Sequence, residues 1–120
     1  MKFDSALVFS QNPKKLAAFY EKVFDKKPGW VQDDYYGFDV GGSYVMFGPH
    51  KDVKGKAKEP KRIMINFSVK DVKKEFLRIK KAGAKVIAEP YKPGESPDMW
   101  LCTFSDPDGN YFQLGSEMKM

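Results

Sequence analysis

Residues 62–83 read RIMINFSVKDVKKEFLRIKKAG, and residues 3–24 read FDSALVFSQNPKKLAAFYEKVF. Each is an apolar-rich run of strand length, a capping residue, and then a stretch with helical apolar spacing. In the second stretch Ile63, Ile65, Phe67 and Val69 share one strand face, with Met64, Asn66 and Ser68 on the other. Asp71 is the cap, and Val72, Phe76, Leu77 and Ile79 follow on a helix that Gly83 ends in the left-handed conformation. In the first, Asn12-Pro13 starts a helix, Asn as cap and Pro at the first helical position. Leu16, Phe19, Tyr20, Val23 and Phe24 then form one amphipathic face, ended by Lys26-Lys27-Pro28-Gly29. Asp71 stands 59 residues after Asn12, and the same offset lays Lys14-Lys15 on Lys73-Lys74.

The stretches after the two helices repeat as well. Short strands are expected at Trp30–Gln32, Tyr35–Val40 and Ser43–Phe47, separated by Asp33-Asp34 and Gly41-Gly42, both turn-forming pairs. The second half offers strands at Ala84–Glu89, Met99–Phe104 and Tyr111–Gly115, with a turn-rich loop over Tyr91–Pro97 and a turn at Asp106-Pro107-Asp108-Gly109-Asn110. The order is therefore βαβββ twice: module 1 about 1–50, a basic loop at 51–61, and module 2 about 62–117. This predicts an α+β chain of two tandem βαβββ modules, a cup-shaped mixed sheet with the helices on its outer face.

The chain has 120 residues, 42% of them hydrophobic and 15% aromatic. That suits one domain, here 1–120, with a core of its own and excludes a disordered chain. A single cysteine excludes an internal disulfide frame, no run reaches membrane-span length, and the N-terminus lacks a signal-peptide pattern. The expected compartment is the cytoplasm, with no membrane contact. The net charge of +5 sits mostly in KDVKGKAKEPKR, residues 51–62, which carry six basic residues against Asp52 and Glu59. With one Arg and no aromatic, the segment reads as a solvated loop rather than a nucleic-acid module.

NPKKLAAFYEKVF resembles the first helix of the vicinal oxygen chelate superfamily, which includes glyoxalases, bleomycin-resistance proteins and extradiol dioxygenases. SVKDVKKEFLRIKKAGAKV resembles the start of that family's second module, and FSDPDGNYFQL its closing hairpin, the most specific of the three. The resemblance spans Phe3 to Leu114. It implies a divalent metal in the cup, held by ligands from the first and last strand of each module, typically His and Glu. Those positions fall on Ser5 and Met46 in module 1 and on Met64 and Gln113 in module 2. None is a good ligand for a hard or borderline divalent ion, and none is charged. No metal and no other cofactor is therefore expected.

Strand parity then assigns the cup. Ser5, Leu7, Phe9, Tyr44, Met46, Met64, Asn66, Ser68, Tyr111 and Gln113 share the concave face, whereas Ala6, Val8, Val45, Phe47, Ile63, Ile65, Phe67, Phe112 and Leu114 lie under the helices. Trp30, Tyr36, Phe38 and Trp100 are candidate aromatic walls, Trp100 being counted with the lining. This neutral, mixed face suits a small-molecule pocket, or else a dimer interface or a collapsed cup. The expected function is metal-free binding of a neutral or aromatic small molecule by a homodimer, similar to the bleomycin-resistance branch. The alternative is a lyase or dioxygenase with a non-standard metal site, drawing on His50 with Asp33 or Asp34. His50 otherwise reads as an exposed loop residue and Cys102 as a packed small one.

Overall fold

Asn12 and Asp71 begin the two helices in the same way. The Asn12 side chain accepts a hydrogen bond from the Lys15 N–H at 3.2 Å, and Asp71 accepts one from the Lys74 N–H at 3.1 Å. Each satisfies an amide that the first turn leaves without a helical partner. The helices are α1, Pro13–Phe24, and α2, Val72–Lys81. α1 stops before the Lys26-Lys27-Pro28-Gly29 run because Asp25 turns left-handed, φ 54°. The computed structural model describes residues 1–94 and 98–117, so the loop expected at 91–97 lies partly outside the described residues.

Among the described residues eight strands accompany the helices: β1 Ser5–Ser10, β2 Trp30–Gln32, β3 Tyr35–Val40, β4 Ser43–Pro49, β5 Ile65–Val69, β6 Lys85–Tyr91, β7 Leu101–Ser105 and β8 Tyr111–Ser116. They form two four-stranded sheets of identical topology, β1-β4-β3-β2 and β5-β8-β7-β6. In each, the module's first strand runs parallel to its last, β1 to β4 and β5 to β8, and the other pairs are antiparallel. The fold is thus α+β, built of two repeated βαβββ modules with mixed sheets. Backbone contacts divide the chain into two compact units, Met1–Lys56 and Ala57–Met120, with the boundary inside the basic loop.

Within unit 1, α1 covers one face of its sheet. Tyr20 stacks on Phe47 with ring centroids 4.6 Å apart, and Phe24 meets Phe38 edge-on at 5.2 Å. Phe38 and Phe47 are sealed from solvent, each contributing roughly 1.5–3 kcal/mol through burial. Unit 2 repeats the plan: Phe76 of α2 stacks on Phe104 at 5.3 Å, and Phe104 on Phe112 at 5.6 Å. Two expected core residues lie outside these clusters. Ile63 is 79% exposed because β5 begins only at Ile65, the first residue opposite a β8 partner, Phe112. Leu77 is 63% exposed. Val72, Phe76 and Ile79 already make the inward face of α2, and the next residue after Phe76 points about 100° away from it.

Two tight turns set the register of the first sheet. Gln32 pairs with Tyr35 across Asp33-Asp34, and Val40 with Ser43 across Gly41-Gly42. All four turn residues have positive φ, as a two-residue type I′ connection demands. Glycine adopts that geometry freely, whereas Asp33 and Asp34 hold it under strain. Asp34 Oδ1 accepts a hydrogen bond from the Tyr36 hydroxyl at 2.9 Å, which raises the Tyr36 pKa above 10.0, with burial a smaller contribution.

Candidate functional site

In unit 1 the sheet face turned away from α1 is set by pairing. Ser5 lies opposite Tyr44 and Leu7 opposite Met46 across the parallel β1·β4 pair, with Phe9 opposite Gly48. Their sequence neighbours Val45 and Phe47 are buried on the helix side. The expected unit 1 lining residues therefore do share a face. It is exposed and apolar, Leu7 at 55% and Tyr44 at 48%. Met46 continues across β3 to Gly37, and Gly37 pairs with Trp30 of β2.

The corresponding face of unit 2 is polar. Asn66 of β5 lies opposite Gln113 of β8, which lies opposite Thr103 of β7. Gln113 Nε2 donates to Thr103 Oγ1 at 3.1 Å. Ser68 sits two residues on, opposite Gly115, and Tyr111 pairs with Ser105. Met64 is half-buried and immediately precedes β5 rather than belonging to it. Phe112 and Leu114 point to the α2 side and are buried, as the alternation requires.

Of the four aromatic candidates, Trp30 alone joins an open face. Tyr36 and Phe38 pair with Phe47 and Val45, on the α1 side. Trp100 has the parity of Cys102 and Phe104, both wholly buried. It lies beneath Lys73 Nζ of α2, 4.0 Å from the ring centroid, with Lys92 Nζ at 5.1 Å. The structure thus does not group Trp100 with the other unit 2 lining residues. Tyr35, half-buried, and Thr103, buried, lie on the sheet faces turned away from the helices and were not singled out by sequence. The signal for Tyr35 was the two-residue turn before it, which fixes the parity of the whole strand.

The closing hairpin is organised by Asp106, which is only 5% exposed. Its Oδ1 accepts from the N–H groups of Asp108, at 2.9 Å, and Asn110, at 3.0 Å, and Asn110 Nδ2 donates to Oδ2 at 3.0 Å. The carboxylate is occupied in holding the turn, and β8 is thereby aligned to present Tyr111 and Gln113.

The residues at the four positions where the resemblance implies metal ligands do not fit a divalent ion. Unit 1 offers a hydroxyl, Ser5, and a thioether, Met46, and unit 2 a thioether, Met64, and an amide already bonded to Thr103, Gln113. No negative charge is present to compensate an ion taken out of water. Nor do other side chains converge: among the described residues no three His, Cys, Asp or Glu could hold a metal. His50 meets Phe9 at a centroid distance of 5.2 Å, and its Nδ1 accepts from the Asp52 N–H at 3.1 Å. Asp34 is engaged by Tyr36.

Cys102 is fully buried on the helix side of β7. Burial pushes its thiol up to about 11, against a smaller downward pull from the Leu114 backbone. It is protonated and inert at neutral pH, as a packed residue. No helix among the described residues is long and apolar enough to cross a membrane.

Comparison with known proteins agrees with this architecture. The metallothiol transferase FosB of Bacillus licheniformis is 30% identical over 109 residues, covering 90% of this chain and 71% of that protein. Among solved structures, a variant of the fosfomycin resistance protein FosX from Listeria monocytogenes, complexed with Mn(II) and 1S,2S-dihydroxypropylphosphonic acid, superposes with a TM-score of 0.77. It is 17% identical, and the match covers 98% of this chain and 90% of FosX. A glyoxalase/bleomycin resistance protein/dioxygenase family enzyme from Burkholderia phytofirmans PsJN gives a TM-score of 0.75 at 21% identity, covering 98% of this chain and all of that one. These two likenesses concern the fold. The sequence model of the Glyoxalase/Bleomycin resistance protein/Dioxygenase superfamily matches residues 2–114, nearly the whole chain, and the protein belongs to that superfamily.

Proposed function

We propose that this member of the superfamily binds an uncharged, aromatic small molecule on the open faces of its sheets, without a metal ion. The observation that carries the reading is the joint replacement of the metal positions by Ser5, Met46, Met64 and Gln113 in a chain whose helices, turns and strand register are intact. The names of FosB and FosX point to metal-dependent enzymes, and the donor set here does not follow them. Each unit's open face supports the reading by itself: unit 1 offers apolar wall at Leu7, Phe9, Tyr44 and Met46, and unit 2 offers hydrogen-bonding groups at Asn66, Ser68, Tyr111 and Gln113, both of them kinds of surface that small-molecule sites use. The family resemblance also supports a homodimer, which sedimentation equilibrium would test.

The deciding experiment is elemental analysis of untagged protein together with thermal shifts in Mn(II), Fe(II), Co(II), Ni(II), Zn(II) and Cu(I). A native-state ligand at 100 times its dissociation constant adds about 2.7 kcal/mol, several degrees for a domain of this size. The expected result is no stoichiometric metal and no shift. A stoichiometric divalent ion with a clear shift would overturn the metal-free reading.

A further inference from the structure

The repeat gives α1 and α2 the same frame, yet their solvent-facing sides differ. On α2, Leu77 is 63% exposed, with Lys73 and Lys74 one turn before it and Lys80 and Lys81 one turn after. At 3.6 residues per turn all four lysines lie within about 60° of Leu77 around the helix axis. The offset of 59 residues lays these five positions on Lys14, Lys15, Ala18, Glu21 and Lys22 of α1. There the centre is a single methyl group, and Glu21 binds Lys27 at 3.3 Å. Only α2 sets a large aliphatic side chain inside a ring of positive charge.

Local partners do not account for that charge. Glu75, the one carboxylate of α2, is taken by Arg78, and Asp71 is engaged by the Lys74 N–H at 3.1 Å. Among the described residues no carboxylate pairs with Lys73, Lys74, Lys80 or Lys81. Lys73 Nζ rests instead over the half-buried Trp100 ring, 4.0 Å from its centroid, and Lys92 Nζ reaches the same ring at 5.1 Å. Lys80 Nζ stands 5.8 Å from the Phe76 ring. Ring faces, not counter-ions, place these ammonium groups.

We propose that this side of α2 is a docking surface for an acidic protein segment, a helix that sets one aliphatic residue on Leu77 and carboxylates one turn to either side. A helical partner carries Glu three and four residues from its own Leu in the same frame that α2 uses for Lys. The two aliphatic side chains form the apolar centre of the contact, and the lysine rim steers the encounter and fixes register. Other polyanions fit less well. The apolar face of α2 is buried against its own sheet, so a lipid surface would receive one leucine. A nucleic-acid backbone offers nothing to Leu77, and the helix's one Arg, the residue type best suited to phosphate, is held by Glu75. The surface lies on the helix side of the unit 2 sheet, so the proposal is independent of what the open faces bind.

Fluorescence anisotropy of the full chain with a labelled peptide repeating Leu-Ala-Ala-Glu-Glu-Ala-Ala tests this, since that heptad flanks each Leu with the required Glu residues. The expected result is saturable binding that weakens steeply with salt. Leu77→Ala, which leaves the charge alone, should weaken it several-fold, and Lys73→Glu with Lys80→Glu about tenfold or more. Lys14→Glu with Lys15→Glu makes the same change of net charge on α1 and should leave affinity within about twofold. All five substituted side chains are exposed, and circular dichroism checks that each variant folds. No binding of the peptide, equal losses from the α1 and α2 pairs, or unchanged affinity in Leu77→Ala would each overturn the proposal. So would tighter binding of single-stranded DNA or of phosphatidylserine vesicles than of the peptide, which would assign the charge to another kind of partner.

Discussion

Tyr35 lies on Gly48 so closely that no β-carbon fits between them. The two face each other across β3 and β4, just after the Asp33-Asp34 turn, and both are shielded from solvent in part or whole. Gly48→Ala should therefore destabilise unit 1 by about 1–3 kcal/mol, the usual cost of forcing extra volume into a packed site. Tyr35→Ala in the same chain should return much of that loss. A double-mutant cycle by urea denaturation measures it, and additive effects would show that the contact does not govern the site.

The helix caps offer a second test. Asn12→Ala and Asp71→Ala each remove a side-chain acceptor from the first turn, at Lys15 and Lys74. Each should cost about 1 kcal/mol. The two positions share no partner, so the double variant should lose the sum within about 0.5 kcal/mol. Thermal denaturation of the three variants checks both statements.

Asp34 is strained at φ 66° yet bonded to Tyr36. Asp34→Gly relieves the left-handed strain and gives the turn its preferred second residue, while the lost hydrogen bond is exposed and worth little. The melting temperature should rise by up to a few degrees. With the carboxylate gone, the Tyr36 hydroxyl should also titrate at lower pH than in the parent, which ultraviolet difference spectra of the phenolate band detect.

Cys102 makes a pH prediction. Its thiol is raised to about 11 in the folded chain from 9.0, chiefly by burial, so the folded state holds its proton where the unfolded chain has released it. The stabilisation is full below pH 9 and fades as pH rises toward 11, a loss on the order of 2–3 kcal/mol. Cys102→Ala should flatten the stability profile over that window, whatever it costs at neutral pH. Thiol-specific reagents should modify the folded parent only as fast as it opens.

Much of the fold was legible from local chemistry. Asn12-Pro13 and Asp71 mark helix starts because few residue types cap amides, and Gly83 marks an end because few tolerate positive φ. The repeat made every such signal count twice. Strand parity was equally readable where apolar and polar residues alternate, as at Tyr44–Phe47 and Tyr111–Leu114. The ends of elements were less so. Ile63 looks like strand from its side chain alone, yet β5 starts where β8 supplies partners, and no property of Ile63 encodes that.

That Ser5, Met46, Met64 and Gln113, at the positions where the resemblance implies metal ligands, are poor ligands is read from the sequence, since side-chain chemistry needs no coordinates for that. So are the repeat, the caps and a lone cysteine flanked by Leu101 and Thr103, with no histidine or cation beside it in sequence. Which aromatic ring meets which backbone was decided only by tertiary structure. Trp30, Tyr35 and Trp100 look alike as exposed or buried aromatics in a linear chain. Cross-strand register puts Trp30 opposite Gly37, lays Tyr35 over Gly48 and sends Trp100 to Lys73 on the helix side. Register is a long-range pairing choice, made by the buried faces of whole strands together, and a single residue carries almost none of it.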